Sequence, residues 1–107
     1  MVVKYSRDKN TVVLNIESSV TKNGFVLHDM KFGRIGVSEN RIVSIVVYTK
    51  YLESEHFSYT YDEHSNCLYI ELCEKINNVD TDCVFDQILF VDHKNGYIKG
   101  FEIIDVK

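Results

Sequence analysis

The sequence predicts an all-β protein made of two tandem antiparallel β-meanders, packed as a pseudo-two-fold sandwich or open barrel. Several segments alternate apolar and polar residues with the period of two that marks a half-buried strand. No segment shows a sustained helical period, and the chain has no proline to veto a strand. The apolar pattern of the first half also returns in the second half after a fixed interval.

The first strong strand is TVVLNIE, Thr11–Glu17, with Val12, Leu14 and Ile16 on one face and Thr11, Val13, Asn15 and Glu17 on the other. Residues 34–49, RIGVSENRIVSIVVYT, read as a hairpin with Asn40 at its tip. Residues 67–73, CLYIELC, repeat the alternation: Leu68, Ile70 and Leu72 point inward, opposite Cys67, Tyr69, Glu71 and Cys73. Residues 76–85 place Ile76, Val79 and Cys83 at loose helical spacing. They are interrupted by Asn-Asn and Asp-Thr-Asp, so a loop with one short turn is expected there.

Residues 84–105 then give two β-rich runs around HKNG. Its Asn-Gly pair tolerates positive φ at both positions and so signals a tight hairpin. Gly100 interrupts the second run. Ile98 has one parity and Phe101 and Ile103 the other, so a bulge at Gly100 would return all three to one face.

Sliding the chain by 56 residues aligns Tyr5 with Tyr61, Asn10 with Asn66 and Ile42 with Ile98 without a gap. The apolar positions follow. Val12, Leu14 and Ile16 meet Leu68, Ile70 and Leu72; Val20 meets Ile76; Ile35 meets Val91; Ile45 and Val47 meet Phe101 and Ile103. The expected organisation is one compact domain, residues 1–107, holding a divergent repeat in 1–52 and a more typical repeat in 57–107.

At 107 residues with 45% hydrophobic and 26% charged side chains, the chain has ordinary globular composition and can bury a core without metal or disulfide staples. No apolar run approaches the roughly 20 residues of a membrane helix. MVVKYSRDK lacks the apolar core of a signal peptide. The expectation is a soluble cytoplasmic protein, with no membrane contact. Three cysteines, Cys67, Cys73 and Cys83, without CxxC spacing read as reduced thiols behaving as small hydrophobes. The net charge of −4 is uneven: residues 1–56 carry eight Lys/Arg against six Asp/Glu, and residues 57–107 four against ten. An acidic half repels phosphate backbones, which argues against nucleic acid, and suits a basic protein partner.

Residues 58–107 carry a tyrosine and acidic turn (Tyr61-Asp62-Glu63), a strand Cys67-Leu68-Tyr69-Ile70-Glu71-Leu72, a strand ending at Asp92 with Asn95-Gly96 after it, and Gly100-Phe101-Glu102-Ile103-Ile104-Asp105. This pattern resembles family 2283 among the domains of unknown function. The first half departs from it, with Ser6-Arg7 at the turn and Ser44-Ile45-Val46 in the last strand. The resemblance implies a paired β core, which a fused tandem would supply within one chain as monomer or homodimer. It supplies no catalytic residues. Some members of the family look like antitoxin-side partners of small RNase-like toxins.

Chemistry-bearing motifs are sparse. There is no GxGxxG, P-loop or GxSxG, and neither enzyme activity, a metal nor a cofactor is expected. Asp92, His93 and the pair Asp80/Asp82 could be drawn as a metal site, but Asp and His in turns are ordinarily solvated. Exposed tyrosine among carboxylates is the better binding signal, because it combines area with a hydrogen-bonding tip. The candidate binding residues are Tyr61, Asp62, Tyr69, Glu71 and Glu102, with Tyr61 and Tyr69 expected on one sheet face. The leading expectation is a non-enzymatic, antitoxin-like or inhibitory module for a basic protein partner. The alternative is a small-ligand protein of phage or mobile-element origin that sequesters a signalling nucleotide, with Lys22, Lys31, Arg34 and Arg41 on its phosphates.

Overall fold

A computed structural model describes residues 1–17, 24–74 and 78–106. The chain is all-β, without an α-helix among the described residues, and divides into two compact units, Met1–Lys50 and Tyr51–Val106. The first unit holds β1 (Val2–Arg7), β2 (Thr11–Glu17), β3 (Val26–Met30), β4 (Gly33–Ser38) and β5 (Arg41–Tyr48). A single 3₁₀ turn, Thr49–Tyr51, leads to the second, with β6 (Ser58–Asp62), β7 (Cys67–Glu71), β8 (Asp80–Phe85), β9 (Leu89–Lys94) and β10 (Tyr97–Ile104).

Each unit is one five-stranded antiparallel sheet, in the orders β1-β2-β5-β4-β3 and β6-β7-β10-β9-β8. A hairpin is followed by a crossing to the far edge, and a three-stranded meander then brings the last strand back beside the hairpin. Neither sheet closes on itself. The alternation in the sequence decides which face is buried. Val12, Leu14 and Ile16 of β2 are at most 2% exposed, as are Ile35, Ile45 and Val47 around them. In the second unit Leu68, Ile70, Phe101 and Ile103 do the same. Burying each such side chain contributes about 1.5–3 kcal/mol.

The two sheets repeat each other residue for residue at their centres. β4 and β5 map onto β9 and β10 with a uniform offset of 56 residues at both ends of each strand. The pairs Gly33↔Val47 and Val12↔Val47 recur as Leu89↔Ile103 and Leu68↔Ile103. The bulge recurs too. Lys99 is the extra residue in β10, between Ile98↔His93 and Gly100↔Asp92. Val43 is the extra residue in β5, between Val37↔Ile42 and Gly36↔Ser44. Ile98, Phe101 and Ile103 are all buried, as the bulge requires. Ser44 stands where Gly100 stands in the other copy, so glycine is not what makes the bulge. Both tips are turns with two positive-φ residues, Glu39 (50°) and Asn40 (63°) in one, Asn95 (55°) and Gly96 (81°) in the other. That backbone matches the strand twist of a two-residue hairpin.

The outer strands follow the repeat less closely. Tyr5 pairs with Leu14, whereas Tyr61 pairs with Leu68 and not with Ile70. A slip of two leaves every side chain on its own face, so the core tolerates it.

Two sequence expectations are corrected here. Residues 80–85 lie in β8, not in a loop: an edge strand pairs on one side only, and its acidic side chains Asp80 and Asp82 stay in water. Residues 84–92 are not one strand, because Asp86 (φ 44°) and Gln87 (φ 60°) turn the chain between β8 and β9. The proposed pairing of Val20 with Ile76 falls outside the described residues.

Candidate functional site

The face of the second sheet opposite its core is set by register. Tyr69 lies between Thr60 on β6 and Glu102 on β10, and Glu71 between Ser58 and Gly100. Asp62 pairs with Cys67 on the same face. On the other side of β10, Asp92 pairs with Gly100 and with Thr81 of β8. Asp62, Tyr69, Glu71 and Glu102 therefore share one surface, joined by Asp92. Tyr61 does not belong to it, which corrects the expectation that Tyr61 and Tyr69 share a face. Opposite partners in a sheet point the same way, and Tyr61 is opposite the core residue Leu68. Its hydroxyl donates to Asn66 Oδ1 at 2.6 Å and closes the β6–β7 turn.

Asp62 is also partly a turn residue. Ser65, through its side chain, and the His64 N–H (3.0 Å to Oδ1) hold the Asp62 carboxyl below its ordinary range. Tyr69 stands 37% exposed. Cys67 beside it, then desolvation, then Glu102 and Asp62 push its phenol above the ordinary value.

Asp92 and Glu102 form the chemical centre of this face. Asp92 is buried, and Thr81 Oγ1 donates to its Oδ1 at 2.6 Å. The Glu102 carboxyl is hydrogen-bonded to Asp92. That bond, then burial, then the Asp92 charge raise Glu102 to about 7. A carboxyl in contact with another carboxylate ionises only at a cost, so Glu102 keeps its proton up to about that pH. The bulge creates the pair. By shifting β10 one residue against β9, it sets Gly100 opposite Asp92 and brings Glu102 onto the same face one pleat further on. Sequence reasoning missed Asp92 and Thr81 as parts of this face. The signal was the alternation of Leu89 and Val91 inward with Phe90 and Asp92 outward, once the Gly100 bulge is allowed for.

Asp92 and His93 are consecutive on β9 and so face opposite ways. His93 Nε2 bonds Asp82 Oδ2 at 2.6 Å, away from the Asp92–Glu102 pair. Among the described residues no group of three or more His, Cys, Asp and Glu side chains is placed to hold a metal ion.

The bulge residue Lys99 has a different task. Its side chain is only 11% exposed and reaches Glu53 at 2.9 Å, while its carbonyl accepts from the Leu72 N–H at 2.8 Å. The Glu53 hydrogen bond raises the Lys99 ammonium above its ordinary value. Lys99 thus pins the segment before β6 at the rim of an open cleft of about 580 Å³, which Glu53, Ser54, Glu55, His56, Cys73 and Glu74 also line.

Among the described residues the basic candidates of the first unit, Lys31, Arg34 and Arg41, do not all converge. Lys31 lies in the β3–β4 turn and Arg34 next to it on β4, where its Nε contacts Asp29 at 3.0 Å. Arg41 starts β5 beside Ser38, at the other end of β4, and its Nη1 is buried without a hydrogen-bond partner. Lys22 lies outside the described residues.

At the boundary of the two units the charge asymmetry is sharper than between the sequence halves. Met1–Lys50 holds eight Lys/Arg against four Asp/Glu, and Tyr51–Val106 three against twelve. Positions equivalent under the repeat have diverged accordingly: Val13, Asn15, Gly36 and Val46 stand where Tyr69, Glu71, Asp92 and Glu102 stand. No helix among the described residues is long and apolar enough to cross a membrane. No family model, curated protein or solved structure matches the chain.

Proposed function

We propose that this chain is a non-enzymatic binding protein that docks the acidic sheet face of its second unit onto a basic partner protein, in an antitoxin-like or inhibitory role. One observation carries the reading: Tyr69 stands exposed between strands that place Glu71, Glu102 and Asp62 around it on a single regular sheet face. An aromatic anchor ringed by carboxylates is suited to a surface bearing Lys and Arg, where the ring supplies contact area and the charges steer encounter. The acidic residues of this face sit in the second unit and have no counterparts at the equivalent positions of the first, which supports the same reading.

The test uses the whole chain as bait in a lysate of its source, beside a Tyr69→Ala/Glu71→Gln variant and a control changed at Asn15, the position equivalent to Glu71. The reading expects basic proteins held by the native bait and the control and lost from the face variant. Identical captured sets on all three baits would end it.

A second reading keeps the small anionic ligand, such as a signalling nucleotide, and rests on the orphaned Arg41 Nη1. It expects a rise in thermal midpoint on adding nucleotides that Arg41→Gln abolishes, because a ligand bound to the folded state stabilises by mass action.

A further inference from the structure

The four sheet edges of the molecule are not protected alike. β1 carries Arg7 and also Lys4, which is paired with Glu17 at 3.1 Å, and β6 ends in Asp62. β8 carries Asp80 and Asp82 and is kinked by a bulge between Cys83 and Phe85. Charges and bulges are the devices by which edge strands avoid pairing with other chains. β3 has neither at its exposed end. Its five residues pair with β4 in unbroken register, and its one acid, Asp29, is neutralised by Arg34 across the pair. Phe25, Val26 and Leu27 are 55%, 63% and 51% exposed, a consecutive apolar run in open water. Phe25 also folds over the outer face of its own sheet: a Cβ at Gly36 would lie 3.0 Å from its ring. The apolar surface therefore continues from the edge onto the face.

We propose that β3 is a self-association edge, at which two copies of this chain pair antiparallel across a two-fold axis near Leu27. That axis sets Leu27 against its own copy, Val26 against the partner's His28 and Phe25 against the partner's Asp29. No like charges oppose one another, and both apolar runs are removed from water in one contact. Such a contact is isologous, so it closes at two copies. The charge layout favours a second copy over a basic or acidic partner at this edge: Asp29 is paired with Arg34, and the strand VLHDM carries no other Asp, Glu, Lys or Arg to attract a charged partner or repel a copy. The residues of this edge are not those of the acidic face of the second unit, so either assignment can fail alone.

Sedimentation equilibrium of the whole chain tests it, from about 1 to about 300 µM and at low and high salt, a range that spans weak to moderate association. The native chain is expected to show a monomer–dimer equilibrium that persists in about 0.5 M salt, because apolar strand pairing is not screened. Val26→Lys and Leu27→Lys should each weaken it about tenfold or more, by opposing or burying a charge in the contact. Both positions are exposed, so unchanged circular dichroism and thermal midpoint will show that the variants fold. Amide exchange across 25–30 should slow with concentration in the native chain alone. A native chain that stays monomeric throughout overturns the proposal and leaves the edge to a strand of another protein. A dimer that salt dissolves, or that survives both lysines, overturns it in favour of another surface.

Discussion

Glu102 gives the most quantitative prediction. Folding raises its carboxyl from 4.5 to about 7 because it donates to Asp92 in a half-buried position. A carboxyl whose pKa is raised in the folded state contributes its full stabilisation only while it is protonated in both states. The contribution is complete below 4.5, declines as the unfolded chain ionises first, and is gone above about 7. At about 1.4 kcal/mol per tenfold, the full rise corresponds to about 3 kcal/mol, and solvent screening at this half-open position reduces it to about 1–2 kcal/mol. Glu102→Gln keeps a donor toward Asp92 and cannot ionise. Urea denaturation of both proteins from pH 4 to 8 isolates the effect of the Glu102–Asp92 contact, since titrating groups remote from it cancel in the difference. The two should be nearly equal at pH 4, and the variant should be more stable by about 1–2 kcal/mol above pH 7. A difference that stays flat across this range would refute the raised Glu102 carboxyl.

Other expectations follow from the packing. A Cβ at Gly33 would lie 1.9 Å from the Val46 carbonyl oxygen, so Gly33→Ala must open the β4–β5 ladder; a loss of about 2–4 kcal/mol in urea midpoint analysis is expected. Leu14→Ala and Ile70→Ala, at equivalent buried positions, should each cost about 2–5 kcal/mol, and similar values would show that the two cores are energetically alike. Lys99→Met removes the Glu53 bond from a mostly buried side chain. It should cost about 1 kcal/mol or less while speeding amide exchange in the segment before β6.

The legible part of this fold was what periodicity and turn chemistry encode. Val12, Leu14 and Ile16 and their counterparts declared their faces because both flanking strands bury them. Asn95-Gly96 declared its turn because few other residues accept two positive φ values. The edge strands were not legible. VLHDM and DTDCVF pair on one side only, so neither has to alternate, and the strand crossing that places them at the edges leaves no local signal. The bulge at Lys99 was visible only through the parity break at Gly100, and its twin at Val43, flanked by Ser44, carried no glycine to mark it. The binding face was half legible for the same reason. Tyr69, Glu71 and Glu102 follow from parity within single strands. Asp92 joins them only through a cross-strand register that the bulge resets, and Tyr61 left them because the β6 register sets it opposite Leu68.

The docking proposed for the Tyr69 face is electrostatic. Its most direct test is the association rate with the basic protein captured by the native bait, measured at pH 8, where Glu102 is ionised, from about 20 to about 500 mM salt. The native chain should associate quickly at low salt and lose rate steeply as salt rises, and Glu71→Gln/Glu102→Gln should be slower with a flatter salt slope. Identical rates and slopes for the two proteins would contradict it.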